Sequence, residues 1–383
     1  MKKISKFIYG GILLGAVALT GCEDAKYDQL TNQAYILQTA TNANSSAKLT
    51  IGNEYVSKDI NVRLSEKATE TSTFKLVYDV KALEQFNAKN ETSYTALPEG
   101  SFSLSTDEVA IEAGSSVSAP ATLTVNPYSD ELKNSGKKYA VAFRLEKVSG
   151  NANILKSGSV MVFVLDQVVI QPVVQFNRSH YISQNLSQTY TTTEWTMEMN
   201  INKDQLGEAV GEMNNQAIYG SSPDEVYVRF GDAPIEGNRL QIKTQGTQMN
   251  SQMLFNKNTW YHIAFVCTGS KLYLYVNGQL DNSMDLPGKE TRVSAVSISS
   301  NSTYNKGNSL YSEVRLWNKA RSQKEIQNNM YACDPTTPGL IFYYKLNEGQ
   351  GFQFKDWSGN GNDATTNGSV VPVWFQDVRI DGK

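Results

Sequence analysis

Histidine is nearly missing from this chain: His180 and His262 are the only two in 383 residues. A metal centre built from several histidines is therefore excluded. Cysteine is almost as scarce, and only Cys267 and Cys333 lie beyond residue 22. Two cysteines in a chain of this length make no disulfide framework. They read as small buried hydrophobic residues, with pairing in an oxidising exterior left open. No block of basic residues appears and the formal net charge is −3, so neither nucleic acid nor a polybasic membrane contact is expected. No acidic string approaches the density of an EF-hand loop, so no metal is assigned and no cofactor is expected.

One apolar run stands at the N-terminus. Lys2, Lys3 and Lys6 precede the stretch from Phe7 to Leu19, which is too short for a bilayer span of roughly 20 residues. It reads as a signal peptide covering residues 1–21. Removing its three lysines takes the formal charge from −3 to −6. The run ends in Leu19-Thr20-Gly21-Cys22, which resembles the bacterial lipobox; the resemblance implies that Cys22 is acylated and becomes the first mature residue. Residues 22–34 then read as a lipidated tether. Its acidic start, Glu23-Asp24-Ala25-Lys26-Tyr27-Asp28, resembles the signal that sends lipoproteins of gut-type Gram-negative anaerobes to the outer face of the outer membrane. A solvated tether is the equal alternative. Either way, acyl chains at about 0.8 kcal/mol per buried CH₂ supply the anchorage.

The remaining chain of roughly 360 residues suggests two domains. In the first, 35–168, short runs alternate polar and apolar residues: Phe74-Lys-Leu-Val-Tyr-Asp-Val80, Ala121-Thr-Leu-Thr-Val125, Tyr139-Ala-Val-Ala-Phe-Arg-Leu145 and Val160-Met-Val-Phe-Val-Leu165. Period-two alternation rich in Val, Thr, Tyr and Phe predicts half-buried strands. One or two helical turns interrupt them near Lys81 to Lys89. Repeated strands at this spacing predict a β-sandwich. The order Phe86-Asn87, Tyr94, Leu97-Pro98, Phe102-Ser-Leu, Ile111-Glu-Ala-Gly114 and Val148-Ser-Gly150 resembles an immunoglobulin-like domain of unknown function found behind the lipobox of surface lipoproteins from glycan-utilisation loci. The resemblance implies a spacer that lifts a working domain off the membrane.

Ile170-Gln-Pro-Val-Val174 reads as a linker into the second domain, 169–383. There Trp260-Tyr-His-Ile-Ala-Phe-Val266 and Lys271-Leu-Tyr-Leu-Tyr-Val276 alternate as strands, and Asn277-Gly278 is a hairpin-turn dipeptide. Glu313-Val-Arg-Leu-Trp-Asn318 is a further strand. Ser322-Gln-Lys-Glu325 has the form of a capping box and starts a helix running toward Met330. Gly339 to Leu346 and the loop Asp356-Trp-Ser-Gly-Asn-Gly-Asn-Asp363 follow. In this order the motifs resemble the laminin-G-like, concanavalin A-like jelly roll. The expected architecture is thus all-β: an immunoglobulin-like β-sandwich followed by a concanavalin A-like sandwich. That fold hosts lectins, adhesion modules and hydrolases alike, so it does not fix a function.

A glucanase of this fold carries its acid and nucleophile in a close Glu-x-Asp-x-x-Glu string, which the chain lacks. The nearest pair is Glu194 and Glu198. Four residues along a strand are roughly 13 Å apart, whereas a retaining glycosidase needs about 5–5.5 Å and an inverting one about 6.5–9.5 Å. No catalytic residue is therefore assigned, and the chain does not read as an enzyme.

Along Glu194 to Ile201, Trp195, Met197, Met199 and Ile201 share the core face; Glu194, Thr196, Glu198 and Asn200 share the other, facing water or a groove. Tyr190, Tyr219 and Tyr304 lie among Ser, Asn, Thr and Gly and suit stacking on a sugar. The candidate carbohydrate contacts are Tyr190, Glu198, Tyr219, Asp232, Tyr304 and Asn305. Trp195, Trp260, Trp317 and Trp357 default to packing, and Trp374 is ambiguous. Calcium, common in laminin-G-like modules, is left open with Asp232 as a conceivable ligand, while Asp356 and Asp363 read as turn residues. The function expected from the resemblance is capture of oligo- or polysaccharide at the cell surface, for a starch-utilisation-type importer in the outer membrane. An adhesion lipoprotein with a protein partner is the alternative, and a glycoside hydrolase is the less favoured one.

Overall fold

The computed structural model describes residues 32–381. The leader, Cys22 and most of the tether lie outside the described residues, and no described helix is long and apolar enough to cross a membrane.

The first domain is a sandwich. Its main sheet runs Ser46–Ile51, Val160–Gln167, Tyr139–Ser149, Ser72–Tyr78 and Glu108–Ile111, with Thr95–Ala96 beside Tyr139–Ser149. Two three-stranded sheets, centred on Gln33–Ile36 and Ala121–Val125, close the other side. Alternation does the sorting: Ala121, Leu123 and Val125 are buried while Thr122 and Thr124 are only partly so. Phe74, Phe143 and Phe163 join Ile60 and Leu123 in one core. Each such side chain contributes about 1.5–3 kcal/mol over its exposed state. Asn61 separates strands Val56–Ile60 and Val62–Leu64.

The helix foreseen near Lys81 spans Val80–Asn90. Asp79 caps it, accepting from Ala82 N at 3.0 Å, and holds Arg144 at 2.5 Å. The cap satisfies one of the donors that the first helical turn leaves over. Glu91 ends the helix in the left-handed region, at φ 51°.

The second domain stacks two larger sheets. One runs Gln279–Asp285, Lys271–Val276, Tyr261–Thr268, Glu194–Lys203, Ser309–Trp317, Ile170–Phe176 and Val373–Arg379, with Leu340–Tyr344 also on Ser309–Trp317. The other runs Ile182–Thr192, Thr291–Ile298, Gln216–Pro223, Val226–Asp232, Ile235–Thr244 and Thr247–Leu254. Between them Trp195, Met197, Met199 and Ile201 share a core with Val228, Phe230, Leu240, Ile242, Val296 and Ile298.

The Asn277-Gly278 turn closes its hairpin with both residues at positive φ, 50° and 73°, as a primed turn requires. The capping box is complete: Ser322 Oγ accepts from Glu325 N, and the Glu325 carboxylate accepts from Ser322 N. Its helix, Gln323–Asn328, stops short of Met330.

The segment read as a linker is a strand. Ile170–Phe176 lies inside the large sheet, pairing with Ser309–Trp317 on one side and Val373–Arg379 on the other. Proline is tolerated in a strand beside an irregularity in pairing, and Pro172 falls where the register shifts between Gln171 and Val173.

Candidate functional site

The large sheet's far face resolves the question left by Glu194 to Ile201. Thr196, Glu198 and Asn200 are fully buried there, facing neither water nor a groove. The Gln323–Asn328 helix and its flanking segments cover them. Thr196 Oγ donates to Lys319 O at 2.8 Å, and Asn200 Nδ2 donates to Met330 O at 2.9 Å.

Glu198 forms the centre of an ion cluster. Arg321 Nη1 lies 2.6 Å from one carboxylate oxygen, and Arg315 Nη2 lies 3.1 Å from the other. His262 Nε2 stands 3.4 Å away. Burial pushes the Glu198 carboxyl up, but the Arg321 and Arg315 guanidiniums outweigh it and hold the carboxyl well below the ordinary range. Glu313 lies beside this group, accepting from Tyr343 OH. Burial raises its carboxyl to about 7, against the pull of Arg315. This layer is sealed and structural; no carbohydrate contact at Glu198 is available from solvent.

Tyr219, expected among ligand contacts, is likewise in the core at 1% exposure. A register shift between Ala217 and Tyr219 rotates it inward. Tyr190 sits on the opposite edge strand, packed against the core, its hydroxyl 3.4 Å from Asn362 Nδ2. Asn305 is buried and braces its own loop through Ser299 Oγ and Ser300 O, both at 3.0 Å. Tyr304 is 58% exposed. Gln216 ties that loop to the sheet, its side chain donating to Tyr304 O and Asn214 O and accepting from Lys306 N.

The outer face of the six-stranded sheet gathers a different set. Along Val226–Asp232, Val226, Val228 and Phe230 enter the core, so Tyr227 and Arg229 point outward. Tyr227 OH and Arg229 Nη1 both donate to Asn215 Oδ1 at 2.9 Å. Arg229 also grips Gln241 Oε1, at 3.0 Å through Nε and 2.7 Å through Nη2, and forms an ion pair with Asp232. Gln241 Nε2 passes the chain to Asn250 Oδ1 at 2.9 Å. Asn282 Nδ2 donates to Asn250 O at 2.8 Å.

Gly220 lies between Ser297 and Tyr227 in the cross-strand row. A Cβ there would stand 2.8 Å from Ser297 Oγ and 3.7 Å from the Tyr227 ring. Glycine therefore leaves a low floor beside a half-buried tyrosine whose hydroxyl is pinned. Asn250 also lines an open groove of about 430 Å³, shared with Arg239, Gln248, Gln252, Asn282 and Ser283.

Of the candidate contacts, the structure brings Asp232 into this face and the Tyr304 loop to its end beside Asn214. Tyr227, Arg229, Gln241 and Asn250 were not singled out from sequence. Their signal was present in Val226-Tyr-Val-Arg-Phe230, where strict alternation sends a tyrosine and an arginine outward together. Among the described residues, no three His, Cys, Asp or Glu side chains gather to hold a metal ion.

The model of the concanavalin A-like lectin/glucanases superfamily, Laminin G 3, matches residues 176–327. The second domain is concanavalin A-like. A family model described as an N-terminal domain matches residues 30–152, over the first sandwich. No curated protein matches the chain. Among solved structures, a Bacteroides ovatus ATCC 8483 protein, named as a candidate carbohydrate binding protein, is similar at 21% identity with a TM-score of 0.61. The match covers 90% of this chain and 97% of that one. The heptameric SAP-like pentraxin of Limulus polyphemus is similar at 11% identity and TM-score 0.39, over 55% of this chain and 97% of its own. EndoBT-3987 of Bacteroides thetaiotamicron matches at 14% identity and TM-score 0.30, over 35% of this chain and 31% of its own. The first likeness extends across both domains; the other two are too distant to carry an argument. The concanavalin A-like domain and the sandwich before it thus form a pair already met in another protein, and what they share is the fold.

Proposed function

We propose that this chain is a lipid-anchored surface protein that binds oligo- or polysaccharide on the outer face of the six-stranded sheet, without catalysis. The carrying observation is the half-buried Tyr227 ring, its hydroxyl fixed by Asn215, which the buried Arg229–Gln241 pair braces, with the groove around Asn250 beside that pair. A sugar offers apolar ring faces and many hydroxyls. A pinned aromatic ring suits the first, and the planar amides of Gln248, Asn250 and Gln252 along the groove suit the second. Because Asn215 holds Tyr227 and Gln241 holds Asn250, these two are already oriented, which lowers the ordering cost of binding.

The non-catalytic reading is supported by Glu198, the nearest partner to Glu194 along the strand, being sealed between two arginines. The B. ovatus relative's name, together with the two-domain likeness, also favours binding. Anchorage through Cys22 and delivery to an outer-membrane importer complete the proposal and rest on the lipobox resemblance. A glycan array probed with the full chain tests it: saturable binding to one glycan class is the expected result. Silence across a broad array would overturn the reading.

A further inference from the structure

The two domains meet around a polar cleft of about 470 Å³. Two ion pairs bridge across it: Lys324 of the second domain reaches Glu91 of the first at 2.7 Å, and Lys137 reaches Asp334 at 3.9 Å. Gly136 approaches the second domain closely. It adopts φ +69°, and a Cβ there would lie 1.9 Å from Cys333 O. The domains are thus held at a defined distance, and the space left between them is lined by side chains of both.

Most charges in the cleft are already matched. Lys324 and Lys137 have the partners just named, Arg321 is committed to Glu198, and Glu325 holds Lys319 at 2.9 Å. Lys138 differs. It lines the cleft, yet among the described residues its ammonium makes no ion pair or side-chain hydrogen bond. Burial brings the ammonium down to about 8; the Asp166 carboxylate pulls it up and the Lys48 ammonium pulls it down. Lys138 still carries its charge at neutral pH. A partly buried cation with no ion pair among the described residues is costly, so an anion entering the cleft would gain a charge-assisted contact.

We propose that this cleft binds an anionic sugar residue, its carboxylate or sulfate on Lys138 and its hydroxyls on the amides and hydroxyls of Asn328, Asn329, Ser93 and Thr337. The first domain then contributes directly to recognition as well as spacing. This site is separate from the Tyr227 face and does not depend on it.

Titration calorimetry on the full chain tests the site with two probes, a tetrameric oligogalacturonate and a sulfated galactan tetrasaccharide, beside the methyl-esterified galacturonate. Binding of the first assigns a carboxylate, and binding of the second a sulfate ester; the neutral ester should not bind. Lys138→Gln should weaken binding by about tenfold, the scale of one charge-assisted contact, while Lys138→Arg retains it. Ser93→Trp, a surface change that fills the cleft without altering charge, should abolish binding even if Lys138→Gln perturbs the fold. Tyr227→Ala should leave this binding unchanged, so that failure here and failure at the sheet face are told apart. Absence of binding by both probes, or wild-type affinity in both Lys138→Gln and Ser93→Trp, would overturn the proposal.

Discussion

Replacing Glu198 by glutamine keeps the shape of the side chain and removes the one charge that two buried guanidiniums share. Arg315 and Arg321 are 0% and 2% exposed at their side chains, and Glu198 is 0%. Neither arginine can turn to water without opening the cover formed around the Gln323–Asn328 helix. Breaking a buried pair by deleting one partner costs about 3–5 kcal/mol, because the charge left behind stays desolvated. For a domain of about 200 residues, each kcal/mol lowers the melting temperature by roughly 2–4 °C, so the expected shift is about 6–20 °C. Chemical denaturation followed by tryptophan fluorescence gives the free energy directly, since Trp195 and Trp317 are buried in this domain. Glu194→Gln, exposed on the same strand, is the control and should stay within about 0.5 kcal/mol. Glycan affinity of the Glu198 variant below its melting point should equal the wild type. A loss under about 1 kcal/mol, or a stable variant that no longer binds glycan, would refute the structural role assigned to this cluster.

The two buried carboxyls should answer pH in opposite senses. Glu198, depressed when folded, supplies stability that is present above pH 4.5 and persists until the pH falls through its low folded value. Glu313, raised to about 7, keeps its proton while the unfolded chain has already ionised near 4.5. Its contribution is therefore full below pH 4.5 and declines as pH rises to about 7, by on the order of 3 kcal/mol. Glu313→Gln should flatten that limb of a stability–pH profile; an unchanged slope would count against the raised value. Tyr227→Ala should weaken glycan binding by about tenfold or more in calorimetry, with little change in melting temperature; unaltered affinity would move the site elsewhere. Gly136→Ala should pry the domains apart, because neither its φ nor the Cys333 carbonyl leaves room. Small-angle scattering should show a larger radius of gyration, and an unchanged one would mean the contact does not set the domain spacing.

Local chemistry was legible in the sequence wherever it acts over a few residues. The Asn277-Gly278 hairpin, the Ser322–Glu325 capping box, the helix near Lys81 and the core face of Trp195, Met197, Met199 and Ile201 all follow from turn geometry, cap donors or side-chain period. Cys267 and Cys333 are buried and free. The β-rich class needed only repeated alternation. Partners distant in the chain were decided by the tertiary structure. Period two separates the faces of a strand but does not say what covers the second face, so Glu198 read as an outward carboxylate until Arg315 and Arg321, more than a hundred residues away, closed over it. Tyr219 read as a loop aromatic until a one-residue register shift turned it inward. Ile170–Phe176 passed for a linker because no local signal reports hydrogen bonds from strands on either side. The Tyr227–Arg229–Gln241–Asn250 face and the Lys138 cleft belong to the same class. Each is assembled by strands or domains that the chain separates and folding brings together, and burial, which sets their charges and orientations, exists only once that assembly is complete.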